Sequence, residues 1–312
     1  MIEEVVSVGL PVDENIIIKK NSIRPEILTG NEKRICIVTG THGDELEGQY
    51  VCYELIRRIN MEKDKLKGIV DVYPALNPLG IDSITRGIPM FDLDMNRIFP
   101  GNEGGAMAEY IASKIVNDIE GADFCIDVHS SNIFLKEIPQ VRVSEETAED
   151  LIPYAKQLNV DFIWVHTSAT VLESTLAHSL NVRGVKTLVV EMGVGMRITK
   201  EYCNNLVDGI LSLMKSEGIW EGETIEPKEP IISTDGEVGF INAECSGVFV
   251  PCVEHWEDVK KNEHIGDILN PIEGKVIYQV KAPCDGMLFT LREYPVVYEG
   301  SLIGRVLGGM NK

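Results

Sequence analysis

The chain has 312 residues, 44% of them hydrophobic and 25% charged, enough for a sizeable buried core and, at about 150 residues per domain, for two domains. Lys plus Arg is 29 against 49 for Asp plus Glu, and the formal charge of −20 disfavours nucleic acid and anionic membrane as partners. The acidic N-terminus lacks the basic region of a signal peptide, no apolar run approaches the ~20 residues of a membrane span, and seven scattered Cys without a CxxC suit reduced thiols, so a cytoplasmic protein is expected.

The first fifteen or so residues read as an edge strand or hairpin. From Lys33 to about Trp220, short apolar β-branched runs alternate with longer segments of helical period. The runs are Ile35–Val38, Ile69–Tyr73, Phe124–Val128, Phe162–Val165 and Thr187–Val190; the helical segments are Asp44–Ile59, Ala106–Ile119 and Glu201–Lys215. Strands apolar on both faces, separated by helices, predict an α/β fold with a mostly parallel sheet covered on both sides. The segment EGETIEPKEP after Trp220 is acidic and Pro-bearing, as an exposed linker is, and beyond it come only short strand-like pieces with Asp-Gly, Ser-Gly and Glu-Gly turn signals. The expected division is 1–225 and 226–312, the second part all-β.

The string ICIVTGTHGDELEG is a buried strand, a tight turn and a helix start, so His42 and Glu45 stand where open α/β sheets bind ligands. Three residues apart on one turn, an imidazole and a carboxylate can converge on a metal; equally, they form an ordinary turn His and a Glu favoured at a helix N-terminus. A second apolar strand, FCIDVHSS, also ends in a His. Parallel strands bring such ends to one rim, making His129 the third candidate ligand, with Asp127 placed to accept its other ring N–H. Glu191, at the end of the strand in TLVVEMG, is costly to bury unless it meets a cation or moves a proton. It serves either as general base or as the partner of a neighbouring Arg. In FDLDMNRIFPG, Asn96 and Arg97 can hold a carboxylate by an amide and a guanidinium fork, or Arg97 balances Asp92 and Asp94. Arg86 precedes this acidic run.

Together GTHGDELEG, DLDMNR, DVHSS and VVEMG resemble the succinylglutamate desuccinylase/aspartoacylase family, a branch of the zinc metallocarboxypeptidase-like hydrolases, over roughly residues 30–220. The resemblance implies a metallocarboxypeptidase-like, mostly parallel mixed sheet flanked by helices. It implies that His42, Glu45 and His129 hold one zinc (Zn2+) per chain and that Glu191 is the general base. Asn96 and Arg97 would bind a substrate carboxylate and Arg86 would polarise the scissile carbonyl. Some members use a further Arg shortly before the base, and Arg183 stands near that place. The reaction implied is hydrolysis of a small carboxylate-bearing N-acyl amide, a deacylase activity.

The tail, with VKAPCDGMLF and VYEGSLIG, resembles the barrel-sandwich domain found at the C-terminus of many such proteins. Lys275 falls about where biotinyl or lipoyl carriers bear their modified lysine, yet its surroundings, PIEGK, lack the carrier signature and suit an exposed hairpin lysine. Covering the metal site is the other role for this part. His166 ends a strand and either approaches the site or lies in the core; His178 reads as a helix residue. The alternatives to the deacylase are a zinc carboxypeptidase acting on short peptides, for which the same residues serve, and a non-catalytic binding or carrier protein. One zinc per chain separates the first two from the third. Homo-oligomer formation is left open.

Overall fold

A computed structural model describes residues 1–167 and 173–308. The N-terminal hairpin pairs β1 (Ile2–Gly9) with β2 (Asn15–Ile23), as the opening residues suggest. There follow β3 (Arg34–Thr39), α1 (Glu47–Met61), β4 (Ile69–Tyr73), α2 (Pro78–Ser83), α3 (Met107–Ile119), β5 (Phe124–Ser130), β6 (Leu135–Ser144) and α4 (Ala148–Ala155). Next come β7 (Phe162–His166), α5 (Leu176–Asn181), β8 (Lys186–Gly193) and α6 (Lys200–Ser216). Every apolar run singled out in the sequence is a strand.

Strands β4, β3, β5 and β8 are mutually parallel, while β2 and β6 flank them antiparallel on the two sides. All seven residues of β5 are buried, because helices cover both faces of this central strand. Side-chain alternation sorts the core: Ile35 and Ile37 of β3 pack with Val51, Leu55, Leu206 and Ile210, from α1 and α6. Cys36 and Val38 pack on the other face with Ile111 and Ile115 of α3.

Two differences from the sequence reading bear on the site. Helix α1 starts at Glu47 instead of Asp44, because Gly43 N–H is drawn to the carbonyls of Thr85 and Arg86 and holds residues 42–46 in a turn. Strand β6 has no apolar signature, since Lys136, Glu137, Gln140 and Arg142 interrupt it and Pro139 lies inside it. It is nevertheless ordered, by pairing with β8, β7 and the C-terminal part, and its register with β8 shifts between Glu137 and Gln140, around Pro139.

Residues 221–230 contain no helix or strand. Beyond them lie β9 (Ile231–Thr234), β10 (Val238–Asn242), β11 (Gly247–Pro251), β12 (Asp258–Val259), β13 (His264–Asn270), β14 (Lys275–Lys281), β15 (Gly286–Arg292), β16 (Val296–Val297) and β17 (Leu302–Gly308). They divide between two sheets. β14, β13, β11 and β16 form a separate four-stranded sheet, whereas β15 pairs with β6, and β9 runs parallel to β7. Backbone hydrogen bonding therefore continues from the large sheet into the C-terminal strands. A core including Phe249, Ile268, Leu288, Ile303 and Val306 lies between the two sheets. Lys275 begins β14, exposed and paired with Glu273 at 2.5 Å. No helix among the described residues is long and apolar enough to cross a membrane.

Candidate metal centre and active site

His42 lies in the turn after β3, Glu45 at the end of that turn, and His129 near the end of β5. The parallel pairing of β3 with β5 brings these chain positions to one rim. All three side chains are buried, and ligand atoms from each lie within 4.8 Å of one another. Glu45 is the hub: Oε1 is 2.7 Å from His42 Nδ1 and Oε2 is 2.9 Å from His129 Nδ1. The far ring nitrogens face carboxylates, His42 Nε2 at 3.0 Å from Asp94 Oδ1 and His129 Nε2 at 3.2 Å from Asp127 Oδ1. Asp127 stands beside His129 without a directed hydrogen bond to it, whereas Asp94 hydrogen-bonds to His42.

The donor set fits a zinc ion. His42 Nδ1, His129 Nε2 and both oxygens of Asp127 are buried without a properly directed hydrogen bond, despite the short distances just given. Groups so placed attract positive charge without being satisfied by hydrogen bonding among themselves. Burial pushes both imidazole pKa values down, yet Asp94 and Glu45 around His42, and Asp127 and Glu45 around His129, outweigh it and raise them. Burial likewise opposes ionisation of Glu45, and the two imidazoles overcome it and lower its pKa. Two imidazoles, one carboxylate and an outer pair of carboxylates form a set that zinc favours, with room for a further ligand.

Gly43 makes this turn possible. A Cβ there would stand 1.9 Å from the carbonyl carbon of Gly80, at the start of α2. Replacing Gly43 by Ala must push the turn away from α2 and spread the ligands. The expected result is at least about a tenfold loss of zinc affinity, the lower end of what disturbing the surroundings of metal ligands costs. Competition with a chromophoric chelator measures it, and an unchanged affinity would show that the turn has room to spare.

Glu191 lies near the end of β8 on the same sheet face, because His129 pairs with Glu191 and Asp127 with Val189 in register. Burial raises the pKa of its carboxyl, against the opposing pull of Arg142, whose Nη1 is 3.4 Å from Oε1. The two sequence readings of Glu191, base or ion-pair partner, thus both have a physical counterpart. Arg142 was not legible beforehand. It lies in β6, where its neighbour Glu137 binds it through Oε2 at 2.7 Å and binds Arg305 of β17 through Oε1 at 2.6 Å. The available signal was a strand-length segment with isolated charges among Ile138, Val141 and Val143.

A cavity of about 610 Å³ joins these groups, its wall including His42, Asp127, His129, Glu191, Arg142 and Arg86. Arg86 donates to Glu45 Oε1 at 2.9 Å and approaches Asp94 Oδ2 at 3.4 Å. Asn96 and Arg97 are on the wall too. Asn96 Oδ1 accepts from Leu176 N–H at 3.0 Å, and Arg97 donates to the Asn96 carbonyl at 2.8 Å. Asp94 is thus engaged by Arg86 and His42. Arg183 does not line the cavity: its guanidinium donates to the Ser179 carbonyl and stands 4.0 Å from Glu120. Nearness to Glu191 in sequence does not bring it near in space, because Arg183 precedes β8 and Glu191 stands near the far end of that extended strand. His166 and His178 both reach the wall. His166 Nδ1 is 3.0 Å from Asp235 Oδ1, a residue of the C-terminal part that also accepts from Trp164 Nε1 at 2.7 Å.

Over residues 31–216 the chain matches the succinylglutamate desuccinylase/aspartoacylase catalytic domain, and it belongs to that family. It is 26% identical over 266 residues, 82% of this chain and 76% of the other, to the N-alpha-acetyl-L-2,4-diaminobutyric acid deacetylase of Halomonas elongata. Among solved structures it is similar to a succinylglutamate desuccinylase/aspartoacylase from Rhodobacter sphaeroides, with a TM-score of 0.81 at 22% identity, covering 100% of this chain and 96% of that one. It is similar also to the product-bound ectoine utilization protein EutE (DoeB) from Ruegeria pomeroyi, with a TM-score of 0.83 at 19% identity, covering 99% and 95% of the two chains. These two likenesses concern the fold: a large mixed sheet flanked by helices, with a second sheet.

Proposed function

We propose that the chain is a zinc-dependent deacylase, with one zinc per chain, that hydrolyses the amide of a small N-acyl amino acid or related N-acyl amine. The observation carrying this reading is the convergence of His42, Glu45 and His129 on one point, the two imidazoles lining a cavity that Glu191 also lines. Zinc, when bound by those three side chains, supplies Lewis acidity to an acyl carbonyl and acidity to water.

The chain's own residues do the rest. Arg97 offers a guanidinium, beside Asn96, to the substrate carboxylate. Arg86 supports the negative charge that develops on the carbonyl oxygen. Glu191 takes a proton from water as its oxygen adds to the carbonyl carbon. It then delivers that proton to the amine nitrogen as the C–N bond breaks, leaving a carboxylic acid and a free amine.

What favours a small substrate over a peptide is the origin of the cavity walls. Asp235 and Arg305 of the C-terminal part reach His166 and, through Glu137, Arg142. We read this part as a barrel-sandwich cover over the site, with its boundary near 225/226. The test is release of free amine from N-acyl amino acids by the purified protein, together with its metal content. Expected are about one zinc per chain, loss of amine release on chelation and recovery with added zinc. Carefully purified protein that contains no metal and releases no amine from any acyl amino acid would sink the proposal.

A further inference from the structure

We infer that the substrate carries one carboxylate only: the side chain of its amino acid has no acidic group, so the amide member of an isosteric pair is preferred over the acid. This rests on the deacylase reading and narrows its substrate class.

Charge pairing on the cavity wall is the basis. Among the described residues the wall bears three guanidiniums, those of Arg86, Arg97 and Arg142. Arg86 is engaged by Glu45 and Asp94, and Arg142 by Glu137 and Glu191. Arg97 meets a backbone carbonyl alone among the hydrogen bonds and ion pairs found, and it is exposed, so one carboxylate has a ready partner. A second carboxylate has none. Arg183 points instead to Ser179 and Glu120.

Apart from its histidines, the remaining wall is neutral or acidic. Ser144, Thr147, Asn181, Thr187 and Val189 line it, while Asp127 and Glu146 add negative charge. His166 offers little compensation, since burial and the nearby Arg142 lower its pKa and so favour its neutral form. A buried acid facing these groups loses hydration and gains no cation, whereas an amide of the same shape carries no charge to desolvate. The wall thereby discriminates by leaving the wrong side chain unpaired.

The experiment compares the zinc-loaded protein on N-acetyl-L-glutamine against N-acetyl-L-glutamate, and on N-acetyl-L-asparagine against N-acetyl-L-aspartate. In each pair kcat/KM should favour the amide by about 100-fold, the scale of leaving one buried polar group unpaired. Inhibition by the free amino acids should follow the same order. The variant V182R places a cation on the cavity edge at a position 72% exposed, where it need not disturb the core, and should narrow the preference. Equal or faster hydrolysis of the acids by the unaltered protein would overturn the inference and leave the deacylase standing. Failure of the zinc-loaded protein to release amine from these or any other N-acyl amino acid would instead remove the deacylase reading on which it rests.

Discussion

On the deacylase reading, Glu191→Gln should retain metal and lose about 10³-fold in kcat, the scale of a positioned general base. The substitution keeps the shape of the side chain and its place near the end of β8, but the amide cannot take a proton from water. Metal content should not change, because the candidate ligand atoms belong to His42, Glu45 and His129. The pH profile adds a second readout. Burial holds the Glu191 pKa above its ordinary value, against Arg142, and a base works only when deprotonated. The acid limb of kcat/KM in the unaltered protein should therefore lie above the ordinary Glu value of about 4.3, with activity falling as pH drops through it. In Glu191→Gln that limb should vanish from the residual activity. Arg142→Met should move it upward, since the guanidinium is what favours the ionised carboxylate. Normal turnover in the Glu191→Gln variant would take Glu191 out of the chemistry.

The second large effect is expected at Glu137, a residue that touches neither the candidate ligands nor Glu191 in any hydrogen bond or ion pair found. Glu137 is buried between Arg142 and Arg305, and Gln140 Nε2 also donates to it at 2.7 Å. Burial opposes its ionisation, and the two guanidiniums prevail and lower its pKa. Glu137→Leu removes the anion that both cations share, leaving Arg142 only Glu191, which should cost about 3–5 kcal/mol, as when one member of a buried ion pair is removed. Denaturant unfolding at pH 7 measures the loss.

The sign of the pH dependence follows from the lowered pKa. The contribution of Glu137 is fully present above its unfolded pKa of about 4.3 and is lost as pH falls through the lower folded value, so the gap between the two proteins should close in acid. Lys275→Met provides the contrast. Its ammonium is exposed and pairs with a surface acid, so the change should remain within about 0.5 kcal/mol. A similarly small effect for Glu137→Leu would show that Arg142 and Arg305 find other partners.

These two residues differ in how far they could be read in advance. Glu191 was visible because an acid after three apolar residues at a strand end is anomalous wherever it occurs. Glu137 and Arg142 were not, because β6 depends on neighbours remote in sequence: β8 and β7 on its two sides, and β15 beyond. An isolated reading of Leu135–Ser144 sees charges and a proline. The same residues become a strand once partner strands take up their backbone groups.

Side-chain periodicity, a local property, was sufficient to identify the strands of the parallel core, the long helices and the strand-end positions of His42, His129 and Glu191. Alternating burial on β3 and the apolar stripe of α1 depend on spacing within a few residues, so they survive without knowledge of the rest of the chain. Which cations reach the cavity was decided by tertiary structure alone. Arg183 is eight positions from Glu191 along the chain yet faces Glu120, while Arg142, distant in sequence, lies beside Glu191 because β6 and β8 run antiparallel. Coulomb energy and hydrogen bonding depend on separation in space, and sheet pairing sets that separation across any length of intervening chain.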